Sequence, residues 1–174
     1  MSPLDFSIVD PHIHQWDPYH TPHAAGHLVK LFGWHPQLMQ GLMRVFKPKP
    51  LLQTLGSVEY VLQPYLPQHY KQDCGAYQVE TVVHIEANWH HQKGFAVVEE
   101  TEWIKHLPFS AQKLQLGAIV ATADPRQRQF KQILQAHQQA SPLFCGLEKW
   151  RRGILMRGYI VGVTMHIYID KNHS

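Results

Sequence analysis

The amino-acid sequence predicts an α/β fold with a mostly parallel sheet. Short apolar segments rich in β-branched residues alternate along the chain with segments whose apolar residues have helical spacing. This alternation is typical of strands joined by helical crossovers. The 174 residues are 44% hydrophobic and 17% charged, which is apolar enough to bury a core. The length fits one domain.

Composition and charge exclude several classes of protein. A net charge of +3 without a dense basic segment predicts no nucleic-acid partner. No apolar run approaches the roughly 18 residues that span a bilayer, and the first residues lack the layout of a signal peptide. We therefore expect a cytoplasmic protein without a membrane partner. Cys74 and Cys145 lie far apart and form no Cys-x-x-Cys motif, so both are expected to be reduced thiols.

The first predicted strand, at residues 7–10, leads into a pair of histidines. Pro11 is expected to end this strand, which places His12 and His14 at its carboxyl end. Side chains at i and i+2 share a face of an extended segment, so both imidazoles can reach one divalent cation. The chain has 14 histidines, however, and one such pair is expected by chance. The metal hypothesis therefore depends on the context of the pair, not on its spacing alone.

A long segment, residues 19–67, separates the first strand from the second. It is rich in His, Pro, Gly and Trp, and helical apolar spacing occurs only around residues 38–55. Segments of this length between strands usually form lids or pocket walls. Three loop histidines could form a second metal cluster, but solvated side chains are the simpler interpretation. They are His20, His23 and His27.

The later elements follow in a regular order. They are a strand at 79–87, a helix at 95–107, a strand at 114–121, a helix from 124 to about 139 and a strand at 143–148. Asp124 followed by Pro125 predicts the start of the second helix. Alternating apolar residues at 161–169 predict one more strand.

Polar residues gather where the predicted parallel strands end. Ligands of such sheets bind at the carboxyl ends of the strands. His84 and Glu86 share a face of the second strand, and Asn88 follows them. Asp124 lies at a comparable position, although a helix cap explains it as well. His84, Glu86 and Asn88 form the candidate site together with the histidine pair, whereas a helix cap is the simpler explanation of Asp124.

The chain resembles the amidohydrolase superfamily, specifically its amidohydrolase-related (amidohydrolase 2) branch, which includes sugar-lactone and pyrone-dicarboxylate lactonases. Residues 8–18, Ile-Val-Asp-Pro-His-Ile-His-Gln-Trp-Asp-Pro, resemble the Asp-x-His-x-His motif of the first strand. Residues 83–87, 117–125 and 141–146 resemble the next three strands in the same order. The resemblance implies that residues 1–150 form the first four or so strands of a (β/α)8 TIM barrel, with a long insert between the first two.

The resemblance also implies an activity and a site. The activity is metal-assisted attack of water on a cyclic ester or amide, with a lactone as the favoured small-molecule substrate. His12 and His14 would hold Zn²⁺ or Mn²⁺, although some relatives act without a metal. Trp16, His84, Glu86 and Asn88 would form the substrate pocket, and the alternative for His84 and Glu86 is that they only pack and hydrogen-bond inside the barrel. The catalytic proton acceptor stays unassigned, because the family's later His and Asp have no match in this sequence.

An inactive fragment is the alternative interpretation. Residues 151–174 do not resemble the family's continuation, so they are interpreted as an atypical tail, either a strand or a frameshift product. His166 in this tail could replace a missing ligand or be an ordinary strand residue. Half a barrel would expose a sheet edge and self-associate, acting at most as a metal-binding or association module. Because the resemblance covers only half of a barrel, this chain alone is expected to show no lactonase turnover, whereas a version extended to barrel length should.

Overall fold

The structure is a computed structural model that describes residues 6–22, 63–89, 93–151 and 163–168. The expectations for residues 23–62, including His23, His27 and the helical spacing near residue 40, lie outside the described residues. The strands are β1 (Ile8–Ile13), β2 (Val79–Ile85), β3 (Gln115–Ala121), β4 (Phe144–Arg151) and β5 (Val163–Tyr168). The α-helices are α1 (Pro67–Asp73), α2 (Val98–Lys105) and α3 (Phe130–Ala140), and short 3₁₀ helices cover Gly94–Val97 and Ser110–Gln112.

The strands form one sheet in the order β1-β2-β3-β4-β5. Strands β1 to β4 are parallel, and the pairs are β1 with β2, β2 with β3 and β3 with β4. Helix α2 connects β2 to β3, and α3 connects β3 to β4. The α/β class predicted from the sequence is therefore confirmed. The carboxyl ends of the four parallel strands meet at one edge of the sheet, which is the edge that positions the candidate site.

Two apolar clusters pack the helices against the sheet. The first joins Tyr70 of α1 and Ile104 of α2 to Val82 and Ile119 of the central strands. The second packs α3 against β3 and β4. It contains Val97, Ala121, Ala123, Ile133, Phe144 and Leu147. Burial of apolar surface in these clusters is the main force that holds the layers together. No helix in the described part of the chain has the length and apolar character that a bilayer crossing requires.

Two predicted boundaries are wrong for identifiable reasons. Strand β1 continues through Pro11, since among the described strands β1 lies at the edge of the sheet, where a missing N–H group is tolerated. Helix α3 begins at Phe130 and not at Asp124. The Asp124 carboxylate accepts the backbone N–H of Arg126 at 3.0 Å and pairs with its guanidinium at 2.6 Å. These contacts stabilise a turn that precedes the helix.

The predicted strand near the end of the chain is present as β5, but its direction differs from that of the others. It pairs antiparallel with β4, and the backbone of His166 lies opposite Glu148 in the register. A strand of a (β/α)8 barrel would continue the parallel order. Strand β5 therefore pairs with β4 in the direction opposite to that of a barrel strand.

Gly117 in β3 allows a close approach to β2, which gives a test of this strand pair. A Cβ atom added at Gly117 would lie 2.6 Å from Cγ2 of Thr81. Replacing Gly117 with alanine is expected to lower the free energy of unfolding by about 1–3 kcal/mol, because Thr81 is β-branched and can shift little. Urea denaturation measures the loss. The double variant Thr81→Ser, Gly117→Ala removes the clashing methyl group and should recover most of it, whereas an unaffected single variant would contradict the packing.

Candidate active site at the carboxyl edge of the sheet

His12 and His14 lie at the end of β1 with their rings directed towards each other. Their Nε2 atoms are 3.1 Å apart, and their ring centroids are 4.9 Å apart. Two Nε2 ligands of one tetrahedral Zn²⁺ would be separated by about 3.4 Å, given Zn–N distances near 2.1 Å. The two imidazoles are thus arranged so that one cation could contact both of them after a small adjustment.

Backbone carbonyl groups fix the proton on the His14 ring. Nδ1 of His14 lies 3.0 Å from the carbonyl oxygen of Ile85 and 3.1 Å from that of Glu86. A carbonyl oxygen can only accept a hydrogen bond, so Nδ1 must be the donor. In the neutral ring Nε2 is then an acceptor, and it receives the Nε2–H of His12. This is the tautomer that a metal-binding histidine needs.

Asp10 holds the other histidine in place. One carboxylate oxygen accepts the backbone N–H of His12 at 3.0 Å, and the other accepts the hydroxyl of Tyr70 at 2.8 Å. Burial and this hydrogen bond raise the pKa of Tyr70 above its usual value, so the hydroxyl stays protonated and donates. Asp10 thereby connects α1 to the strand that carries His12.

Glu86 follows β2 and is buried beside His14. Burial, and to a smaller degree the charges of Glu100 and Glu148, raise the pKa of Glu86 to about 7, against opposing effects of His14 and of a backbone hydrogen bond. That hydrogen bond comes from the N–H of Asn88, which donates to Oε2 at 3.0 Å. Asn88 itself is exposed and has a positive φ of 60°, a conformation that asparagine tolerates better than most residues. Glu86 is therefore able to exchange a proton near neutral pH.

Glu100 of α2 reaches the same edge from the helix layer. Its Oε1 accepts the backbone N–H of Ala87 at 2.7 Å and lies 3.5 Å from Nε2 of His84. Burial raises the pKa of Glu100 to about 7 and lowers the pKa of His84 to about 3, the latter helped by the charge of His14. His84 is thus neutral, and its approach to Glu100 is not a salt bridge. His84 is completely buried, so a substrate cannot reach it in this structure. It packs under the other residues of the site.

Several buried polar atoms near this edge lack a hydrogen-bond partner in the described part of the chain. They are Oε1 of Gln15, both ring nitrogens of His84, Oε2 of Glu100 and Oε2 of Glu148. Most buried polar atoms in proteins are paired with protein or with ordered water. These atoms therefore mark a polar interior, unlike the apolar clusters on the rest of the sheet.

Trp16 packs on the loop that precedes α1. Its ring stacks on Tyr65 with a centroid distance of 5.0 Å, and its indole N–H donates to the carbonyl oxygen of Gln63 at 2.9 Å. These contacts fix the segment that follows His14. Of the predicted site residues, the structure groups His12, His14, His84 and Glu86, with Trp16 and Asn88 on the flanking loops.

The sequence interpretation missed two carboxylates, Glu100 and Glu148. Glu148 lies at the end of the predicted fourth strand, and Glu86 lies near the end of the predicted second strand, so the same positional rule also indicates Glu148. Glu100 offers no such signal, because an acidic residue in the first turn of a helix is usually explained by the helix dipole. Its role becomes visible only when α2 is packed against the sheet.

The described residues include no group of three or more His, Cys, Asp or Glu side chains that is arranged to hold a metal ion. What they provide is the histidine pair, with carboxylates nearby. None of the family models, curated proteins or solved structures compared with the chain gives a significant match. The fold therefore defines the class, an α/β protein with a parallel sheet, and the site at its carboxyl edge is the guide to function.

The cavity at the opposite edge of the sheet is a poorer candidate. Its volume is about 360 Å³, and its lining includes Lys105, Leu114, Gln115 and Leu143. Gln115 is the first residue of β3, so the cavity lies at the amino end of that strand. Ligands of parallel sheets bind at the carboxyl ends, where the histidine pair lies.

Replacing Glu100 with glutamine is expected to change how stability depends on pH. The pKa of Glu100 is about 7 in the folded protein, against 4.5 ordinarily. Its contribution to stability is therefore complete below pH 4.5 and is lost as the pH rises through 7. As the pH rises from 5 to 8, the free energy of unfolding of the variant should increase by about 2 kcal/mol relative to that of the wild type.

Urea denaturation at the two pH values measures this difference. Glu102→Gln is the matched control, because it removes the same charge from an exposed position of the same helix. The control should differ from the wild type equally at both pH values. If Glu100→Gln behaved like the control, Glu100 would not carry a raised pKa.

Proposed function

We propose that this chain carries the metal-binding edge of a hydrolase related to the amidohydrolases, which uses water to open a cyclic ester or amide. A lactone is the substrate class that we favour. One observation carries the proposal: the Nε2 atoms of His12 and His14 converge to 3.1 Å while carbonyl groups hold Nδ1 of His14. This arrangement leaves the Nε2 side of His14 as the available ligand.

The order of the strands supports the barrel part of the proposal. Strands β1 to β4 follow one another across the sheet in chain order. With right-handed crossovers this order places the connecting helices on one face, as in a (β/α)8 barrel, whereas a doubly wound sheet reverses direction and places helices on both faces. We therefore propose that β1 to β4 correspond to the first four strands of such a barrel.

The chemistry follows from the donor set. Neutral imidazoles are ligands for Zn²⁺ and Mn²⁺. A bound cation of this kind polarises a carbonyl group and lowers the pKa of water. His12 and His14 would hold the cation, and the raised pKa of Glu86 suits a group that takes up a proton near neutral pH. Trp16, beside His14, would contact the substrate ring. A small-molecule substrate and a cytoplasmic location belong to the same proposal.

Hydrolysis of a panel of sugar lactones, with and without added Zn²⁺ or Mn²⁺, tests this function. Turnover that depends on the metal and disappears in His12→Ala would support the proposal. His106→Ala is the control, because His106 is exposed at the end of α2 and away from the strand ends. Turnover that survives in His12→Ala would contradict the proposal. Metal binding without turnover would instead favour the second candidate function.

That candidate is a metal-binding and association module without turnover. Two observations favour it. Strand β5 lies antiparallel on β4, where a barrel strand would be parallel. In the described residues β1 pairs only with β2, and Phe6 and Val9 beside this edge are 60% and 61% exposed. Edge strands with exposed apolar residues favour association. Light scattering would then show a dimer that Val9→Lys converts to a monomer, whereas a wild-type monomer would contradict association through β1.

A further inference from the structure

A single peptide group connects Glu100 to His14. The N–H of Ala87 donates to Oε1 of Glu100 at 2.7 Å. The carbonyl group of the same peptide unit belongs to Glu86, and its oxygen accepts Nδ1–H of His14 at 3.1 Å. On the other side of the ring, Nε2 of His14 meets Nε2 of His12 at 3.1 Å. The hydrogen bonds therefore run without a break from the helix layer to the histidine pair.

Hydrogen bonds in such a chain strengthen one another. A carboxylate that accepts from a peptide N–H polarises the peptide and makes its carbonyl oxygen a stronger acceptor. The stronger acceptor favours the proton on Nδ1 of His14 and leaves the lone pair on Nε2. Metal-binding histidines often obtain the same effect from a carboxylate or carbonyl group that contacts the ring directly.

We propose that Glu100 is a positioning residue for His14, which it holds in the Nδ1–H tautomer through the peptide group between Glu86 and Ala87. The importance of this tautomer for a metal rests on the proposed function, whereas the tautomer itself does not. Glu100 acts from a distance and touches no reacting group. Oε1 of Glu100 accepts the N–H of Ala87, and Oε2 has no hydrogen-bond partner among the described residues, so the peptide is the route by which Glu100 acts.

The surroundings of Glu100 support this assignment. Its side chain is almost completely buried, which strengthens its hydrogen bond in a medium of low dielectric constant. Neutral His84 lies at 3.5 Å and supplies no charge that would compete with the peptide N–H. Glu86 turns its own carboxylate towards the N–H of Asn88.

The test measures the ring nitrogens of His14 by NMR on protein labelled with ¹⁵N-histidine, without metal, at pH 8.5. At this pH Glu100 is ionised and free imidazoles are neutral. In the wild type we expect a protonated Nδ1 and an unprotonated Nε2. Glu100→Gln keeps an oxygen acceptor but loses the charge, so the ratio of the two tautomers should fall about fivefold. Glu102→Gln removes a charge from the exposed face of the same helix and should leave the ratio unchanged.

A second measurement uses only the wild-type protein, so it tests the proposal even if the variant unfolds. In wild-type protein, the Nδ1 proton of His14 should correlate across its hydrogen bond with the carbonyl carbon of Glu86, which belongs to the peptide that Glu100 contacts. The absence of this correlation, or an unchanged tautomer ratio in folded Glu100→Gln, would overturn the proposal.

Zinc titrations of the same samples separate this proposal from the proposed function. We expect about tenfold weaker zinc binding in Glu100→Gln than in the wild type, at the lower end of the effects seen for groups that support metal ligands. A changed tautomer ratio with no zinc binding by the wild type would support the role of Glu100 and contradict the metal site. Zinc binding that is equal in both proteins, with an unchanged ratio, would contradict the role of Glu100 alone.

Discussion

Zinc binding should fall at least about 100-fold when both His12 and His14 are replaced with alanine. Their converging Nε2 atoms supply two of the four ligands of a tetrahedral site. The double variant loses both of these imidazole ligands, and a loss of this size corresponds to about 3 kcal/mol of binding free energy. The fold should persist, because His12 is exposed and His14 is only half-buried.

Isothermal titration calorimetry of the double variant measures the loss. A second double variant, His20→Ala with His106→Ala, is the matched control, since it removes two exposed histidines from positions outside the pair. This control should bind zinc as the wild type does. Unchanged binding in the first variant, with weaker binding after replacement of His20, His23 and His27, would place the metal on the loop instead.

Replacing Phe144 with alanine should be the most destabilising single change. Phe144 is 1% exposed, lies in the cluster under α3 and stacks on His137 with a centroid distance of 5.0 Å. Truncation leaves a cavity and exposes a buried histidine whose Nδ1 contacts Thr101 at 2.8 Å. The expected loss is about 3–5 kcal/mol, a large share of the 5–15 kcal/mol that is typical of a domain.

Urea denaturation at pH 7.5 measures this loss. Phe95→Ala is the control, because Phe95 is the same residue type at 49% exposure. Its loss should stay below about 1 kcal/mol. Equal losses in the two variants would show that the second cluster does not depend on Phe144.

The sequence predicted the strands better than the helices. Runs such as Thr81-Val-Val-His-Ile and Leu116-Gly-Ala-Ile-Val combine β-branched residues with turn residues at their ends, and the structure has β2 and β3 there. Helix α1 was not predicted, although Pro67 at its first position is a known start signal. Its first turn is closed by His69, whose Nδ1 accepts the N–H of Leu66 at 3.0 Å. That side chain is an uncommon choice for such a cap, so the sequence at His69 does not indicate a helix start.

Strand direction and helix packing depend on contacts between distant residues. The alternating pattern at 161–169 indicated a strand but could not show that β5 lies antiparallel to β4. The spacing of His12 and His14 predicted that their rings share a side, because that geometry is local. The contact of Glu100 with the N–H of Ala87 depends on how α2 packs, and no local pattern encodes it.

Anomalous X-ray scattering from crystals grown with zinc would test the central claim most directly. The claim is that His12 and His14 hold one divalent cation at the carboxyl edge of the sheet. It predicts a single anomalous peak about 2.1 Å from Nε2 of both histidines. Nδ1 of His14 should keep its hydrogen bonds to the carbonyl oxygens of Ile85 and Glu86. A peak on other histidines, with the His12 and His14 rings free of metal, would contradict it.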